Sequence, residues 1–138
     1  MREWLTTDKV YEGFPMFLRR PAELDMESLR RALPHLALVT HRFAKHRPNG
    51  LPEPDYNHGL VGMDREIVSA FDIDLMGTPV LVETFGGERN YYFYVSADTD
   101  APYIIASIAK RYPSENLTWT VRPDAKWVFI RRYAKEHF

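Results

Sequence analysis

The stretch from Thr78 to Ser96, which reads TPVLVETFGGERNYYFYVS, constrains the fold of this chain more than any other. Two runs rich in Val, Tyr and Phe flank Gly86-Gly87, and glycine adopts the positive φ angles of a tight hairpin turn at little cost. The pattern therefore predicts a β-hairpin whose successive side chains point to opposite faces of a sheet.

The two faces of this predicted hairpin differ in character. The first face carries Val80, Val82, Tyr91, Phe93 and Val95. The second face carries Leu81, Glu83, Phe85, Asn90, Tyr92 and Tyr94. Because the first face is almost fully apolar, we expect it to pack against helices in the core. The second face mixes aromatic and polar groups, and it is the first place to look for a function.

The other periodic segments predict the elements around the hairpin. Period-two alternation predicts strands over residues 36–44 and 117–122. Apolar residues spaced three or four apart predict a helix over residues 60–75, and Asp100 with Pro102 begins a second helix. The order strand, helix, strand, strand, helix, strand predicts an α+β fold. It is a ferredoxin-like split βαββαβ core with an antiparallel sheet and both helices on one face.

We expect the 138 residues to form a single domain. Its parts are an N-terminal extension, the ferredoxin-like core and a C-terminal tail, over residues 1–35, 36–122 and 123–138. In the extension, the pattern predicts a strand over 16–20 and a helix over 23–33. The sequence leaves open whether the extension or the tail covers the second face of the sheet.

Composition excludes several classes of function. The chain has no cysteine, which excludes disulfides and thiolate chemistry and is typical of a reducing compartment, so we expect a cytoplasmic protein. The net charge of −1 lacks the basic footprint of nucleic-acid binding, and no apolar run reaches the length of a membrane span. None of the five histidines has ligand spacing with another on a predicted helix. We therefore expect no metal, no cofactor, no nucleic-acid partner and no membrane contact.

Four segments of the chain resemble a known family. They are Asn49-Gly50-Leu51-Pro52, a helix with Leu60, Met63, Asp64 and Ile67, Gly87-Glu88-Arg89-Asn90-Tyr91-Tyr92-Phe93-Tyr94-Val95, and Asp124-Ala125-Lys126-Trp127. In this order and spacing they resemble DUF695, a bacterial family of unknown function. The resemblance implies an α+β fold, no established activity, and a distant similarity to ribonuclease E activity regulator B proteins. Two positions depart from the family's pattern, because its acidic pair falls on Asp64 and Arg65 and the aromatic residue expected after Trp127 is Ile130.

Six residues are candidates for binding, and no catalytic residue is predicted. They are Arg89, Tyr92, Tyr94, Glu83, Asp64 and Trp127. Arg89 suits a partner's carboxylate or phosphate, or else an ion pair with Glu83, Glu88 or the acidic helix. For Asp64 we favour a solvated position on the helix surface over acid–base chemistry.

The aromatic candidates also have structural alternatives. With Phe85, Tyr92 and Tyr94 form either an aromatic platform on an open sheet face or, as we favour, a surface covered by the extension or the tail. Trp127 is followed by three more large apolar residues, and we expect it to anchor the tail to the body of the protein.

The sequence favours a non-enzymatic protein-binding or regulatory module. Such a module would dock a protein partner through the sheet face or the charged patches, and homodimer formation is left open. Three alternatives remain. The first is a small-molecule enzyme with a pocket lined by Arg89, Tyr92, Tyr94 and Glu83. The others are a toxin-immunity protein and a ribonuclease regulator.

Overall fold

A six-stranded antiparallel sheet forms the centre of the molecule, in a computed structural model that describes residues 2–138. The strands are β1 Trp4–Tyr11, β2 Phe14–Pro21, β3 His35–Arg42, β4 Gly77–Phe85, β5 Glu88–Val95 and β6 Asn116–Pro123. The α-helices are α1 Met26–Leu29, α2 Pro54–Gly59, α3 Val61–Val68, α4 Ala101–Arg111 and α5 Val128–His137. A short 3-10 segment, Ile73–Leu75, lies between α3 and β4.

The predicted ferredoxin-like core is confirmed. In chain order it consists of β3, α3, β4, β5, α4 and β6, and its strands are neighbours in the order β4-β5-β3-β6. This arrangement consists of two βαβ units, β3-α3-β4 and β5-α4-β6, which the β4–β5 hairpin joins. α3 and α4 cover one face of the sheet, where they bury Met63, Ile67, Ile105 and Ile108. No helix of residues 2–138 is long and apolar enough to cross a membrane.

β4 and β5 form the predicted hairpin, with Gly86 and Gly87 at φ +64° and +86°. The predicted core residues that lie in the cluster under α3 and α4 are Val82, Tyr91, Phe93 and Val95. The placement of Val80 on that face is wrong. The register shifts between Pro79 and Leu81, and this irregularity turns Val80 toward the opposite face.

α5 covers part of the second face of the sheet. Trp127 and Ile130 pack there against Leu81 and Tyr94, and all four side chains are buried. The C-terminal tail therefore supplies a large part of the cover that the sequence left open, and the sheet carries helices on both faces.

The N-terminal extension differs from its prediction. β1 and β2 form a hairpin, and β2 pairs with β4, so the extension widens the sheet. The predicted strand over 16–20 lies within β2, whereas β1 is not predicted because this edge strand is largely exposed and lacks apolar alternation. The helix predicted over 23–33 is wrong apart from the single turn of α1. The apolar residues on the second face, among them Leu81, Tyr94 and Trp127, form what we call the second cluster. Leu24, Leu29 and Leu33 instead pack in this cluster, mostly from irregular backbone.

The helix predicted over 60–75 is also too long. α3 ends at Val68, where the Ser69 hydroxyl donates to the Arg65 carbonyl oxygen at 2.7 Å. A serine that bonds to the preceding turn competes with continuation of the helix. Phe71 is nevertheless fully buried, so the apolar spacing reflects burial beyond the end of the helix.

Candidate functional site

Arg89 lies on the helix side of the sheet, in a row with Thr84 on β4 and His41 on β3. Its Nε donates to Thr84 Oγ1 at 2.8 Å and its Nη2 to Asn57 Oδ1 at 3.1 Å. The guanidinium carbon lies 5.2 Å from the centre of the Phe43 ring. Contacts on three sides hold this guanidinium in one orientation, and a fixed fork of donors favours binding of a carboxylate or phosphate.

Asp64 on α3 lies between two arginines. Arg19 donates to both of its oxygens, at 3.0 and 2.7 Å, and the Tyr91 hydroxyl donates at 2.7 Å. Nη1 of Arg89 is 3.9 Å from the same carboxylate. Burial opposes ionisation, but the bonds and charge of Arg19, together with Tyr91 and Arg89, outweigh it and hold the pKa of Asp64 below its usual value. The predicted solvated position of Asp64 is therefore wrong.

A groove opens beside these residues, and we call it the arginine groove. It has a volume of about 370 Å³. Its lining consists of Phe17, Arg47, Leu51, Pro52, Pro54, Asn57, Thr84 and Arg89. Two arginines and no carboxylate line it, and four of its lining residues are apolar. Two further cavities of about 250 and 350 Å³ share Arg89 with it. The groove therefore suits an anionic group that is flanked by apolar atoms.

The loop that forms one wall of the groove is folded onto the hairpin turn. The Gly87 amide donates to the Gly50 carbonyl at 2.9 Å. Gly50 has a φ of +89°, and a side chain there would meet the Gly86 nitrogen at 2.9 Å, so only glycine fits. The Arg47 amide donates to the Leu51 carbonyl, which closes the loop. Two of the sequence segments noted above, 49–52 and 87–95, thus meet at this groove.

The remaining predicted residues lie on the opposite side of the sheet. Tyr94 stacks on Trp127 with ring centres 4.1 Å apart, and its hydroxyl donates to Asp124 at 2.7 Å. Trp127 Nε1 donates to the Leu33 carbonyl oxygen at 2.8 Å. Trp127 is 1% exposed, as expected of an anchor for the tail.

Tyr92 and Tyr94 are covered by the tail, as favoured from the sequence, so the alternative of an open aromatic platform is wrong. Tyr92 stacks on Phe129 at 4.4 Å, and the Tyr133 hydroxyl donates to Glu83 at 2.6 Å. The alternative of an enzyme pocket that combines Arg89 with Tyr92, Tyr94 and Glu83 is therefore wrong. Arg89 points to the opposite face, because side chains alternate along β5.

A buried polar cluster lies next to Arg89 and is not predicted from the sequence. His41 Nε2 lies 2.8 Å from Glu115 Oε1, and the Tyr56 hydroxyl donates to the same oxygen. Because an ionised carboxylate only accepts, Nε2 carries the hydrogen, and Nδ1 has no partner within residues 2–138. Burial lowers the pKa of His41, although Glu115 opposes the shift, and burial together with Glu115 raises the pKa of Tyr56 to about 12.

Several residues in and beside the groove are not predicted from the sequence, and none of them carries a local signal. Phe17 and Arg47 line the groove, and Arg19 lines a neighbouring cavity. They are single residues in an N-terminal strand and a loop, and only folding brings them to Arg89. Within the described chain, no group of three His, Asp or Glu side chains is arranged to hold a metal ion.

Comparison with known proteins places the chain in one family. Residues 3–133 match the model of a family of unknown function, DUF695. The chain belongs to this family. No curated protein and no solved structure gives a significant match. The family assignment thus comes without a named activity, and only the geometry of its site indicates what this DUF695 member does.

Proposed function

We propose that this protein is a non-enzymatic binding module whose arginine groove docks an acidic side chain of a partner protein. The observation that carries the proposal is the lining of the groove, in which Arg47 and Arg89 stand among Phe17, Leu51 and the prolines without a carboxylate. A carboxylate on an apolar segment satisfies both parts of this lining.

The electrostatics of the neighbouring residues support an anionic ligand. Arg19 and Arg89 share the single carboxylate of Asp64, so these three side chains leave one positive charge in excess. Arg47 adds another, and it forms no ion pair within residues 2–138. Charge complementarity of this kind steers association and selects among partners.

Arg89 is also pre-organised for binding. Thr84, Asn57 and Phe43 hold its side chain before any ligand arrives, so little rotamer freedom remains to be lost. Immobilising a flexible side chain at an interface costs about 0.5–1.5 kcal/mol, and a pre-organised side chain avoids most of that cost.

The cellular location and the kind of partner belong to the same proposal. The absence of cysteine supports a reducing compartment, and we place the protein in a bacterial cytoplasm. A toxin-neutralising or ribonuclease-regulating protein would be a special case of this binding module, with the toxin or the ribonuclease as the partner. In each case the partner must present a carboxylate to the groove.

Site-specific photo-crosslinking in the source cells tests the proposal. A photoreactive phenylalanine analogue replaces Phe17, which lines the groove and is 39% exposed. The same analogue at Tyr103, an exposed aromatic residue on α4, is the matched control. We expect a protein captured at position 17 and not at position 103, with the yield reduced about tenfold or more by Arg47→Glu.

A second charge reversal controls for the loss of a positive charge. Arg131→Glu alters an exposed arginine on α5 and should leave the yield at position 17 unchanged. Equal yields from positions 17 and 103, or a yield that Arg47→Glu does not lower, would contradict the proposed function.

A further inference from the structure

The segment that joins α3 to β4 exposes two large apolar side chains. Ile73 is 69% exposed and Leu75 is 84% exposed. Asp74 and Leu75 both have positive φ, at 54° and 53°, in the left-handed region that side chains disfavour. An unfavourable backbone that presents apolar side chains to water is a feature typical of binding loops. We call residues 72–75 the acidic loop.

The carboxylate at the tip of the acidic loop is available. Asp72 is paired with Arg2 at 2.8 Å, whereas Asp74 forms no ion pair within residues 2–138. Ile73 and Leu75 flank Asp74 directly. The acidic loop therefore offers a carboxylate between two apolar side chains, which is the ligand chemistry that the arginine groove requires.

We infer that the acidic loop of a second copy of this chain docks in the arginine groove. Asp74 of one copy pairs with Arg47 and Arg89 of the other, and its apolar neighbours pack on the wall formed by Phe17 and Leu51. This inference rests on the proposed function, because it names a partner for the same groove.

The loop and the groove of one chain are too far apart to meet. The loop precedes Gly77 at the start of β4, and the groove includes Thr84 near its end, seven residues later. At about 3.3 Å per residue, the two are about 23 Å apart. Two antiparallel copies can make the contact twice, which closes a two-fold dimer.

Sedimentation velocity over a range of concentrations tests the inference. We expect the natural sequence to associate, and Asp74→Arg and Arg47→Glu each to weaken association about tenfold or more. A mixture of the two variants should associate again, because the arginine introduced into the loop of one variant then faces the glutamate introduced into the groove of the other. The second contact of that mixed dimer keeps its natural charges. Glu23→Arg is the matched control, since Glu23 is exposed beside Leu24 of the second cluster.

Two results would overturn the inference. One is a natural sequence that stays monomeric at every concentration. The other is association that neither charge reversal weakens. Arg47 is exposed, so Arg47→Glu tests the contact even if Asp74→Arg lowers folding. Crosslinks from position 17 to a different protein, together with a monomeric chain, would refute the second copy as partner and leave the proposed function standing. Absence of both crosslinks and association would refute the two together.

Discussion

Asp64 is the residue that joins α3 to the sheet beside the arginine groove. Its carboxylate accepts from Arg19 and Tyr91 and lies 3.9 Å from Arg89, and its side chain is 18% exposed. Because these donors come from two different strands, Asp64 ties α3 to the sheet at the point where the groove opens. This role explains why Asp64, which lies in an acid-rich stretch of the sequence, does not simply face water.

Replacing Asp64 should therefore destabilise the fold. We expect Asp64→Asn to lower the free energy of unfolding by about 2–4 kcal/mol, because it leaves Arg19 and Arg89 without their shared counter-ion in a partly buried site. Urea unfolding measures the loss. The matched control is Asp72→Asn, whose ion pair with Arg2 is exposed and should cost less than about 1 kcal/mol. Equal losses in the two variants would contradict a structural role for the Asp64 site.

At the scale of elements, α5 is the addition that completes the second cluster, on the second face of the sheet. Asp124 accepts from the amides of Val128 and Phe129 at the start of this helix and from the Tyr94 hydroxyl of β5. Trp127 adopts a left-handed backbone, φ 55° and ψ 42°, which directs the chain from the end of β6 into α5. One short segment thus begins the helix and attaches it to the hairpin.

Replacing Trp127 tests whether its ring attaches α5 to the hairpin. We expect Trp127→Ala to lower the free energy of unfolding by about 3–5 kcal/mol, as is usual for truncation of a buried aromatic residue. The loss combines the stacking on Tyr94 with the bond to the Leu33 carbonyl. Denaturant unfolding measures it, with the exposed neighbour Val128→Ala as the control. A loss below about 1 kcal/mol, in the range of surface changes, would show that α5 is not held by this ring.

At the scale of the whole molecule, the row of side chains from Phe17 through Thr84 and Arg89 to His41 connects the groove to the interior. The groove lies at one end of this row and the buried His41–Glu115 pair lies beyond Arg89. His41 is not exposed at all, and protonating it would place a second positive charge next to Arg89. The neutral imidazole is therefore the form that the fold favours.

This arrangement predicts a loss of stability on acidification. The pKa of His41 is lower in the folded protein than its usual 6.5, so the unfolded chain binds the proton first as the pH falls. The free energy of unfolding should decrease below about pH 6.5, by at most ~1.4 kcal/mol per pH unit, until the folded pKa is reached. Urea unfolding between pH 8 and 5 checks this. His41→Gln should flatten the dependence, and an unchanged slope in that variant would assign it to other groups.

The sequence by itself determined the elements whose signals are local. The alternation around Gly86-Gly87 predicted the hairpin, and the order of the predicted elements predicted the ferredoxin-like core. Strict alternation also puts Arg89 on the face of Tyr91, but the pocket hypothesis that grouped Arg89 with Tyr92 and Tyr94 did not apply it. Burial of Trp127 followed from several large apolar residues crowded into a short tail.

Only the tertiary structure decided which residues form the groove and its surroundings. Arg89 and Asn57 in the groove are 32 residues apart, and Arg19 and Asp64 beside it are 45 apart, so no spacing in the sequence links either pair. A hydrogen bond between side chains on different elements depends on how those elements pack, which local propensity does not encode. The bulge at Val80 and the edge strand β1 were not predicted for the same reason, because pairing with neighbouring strands sets the register of both.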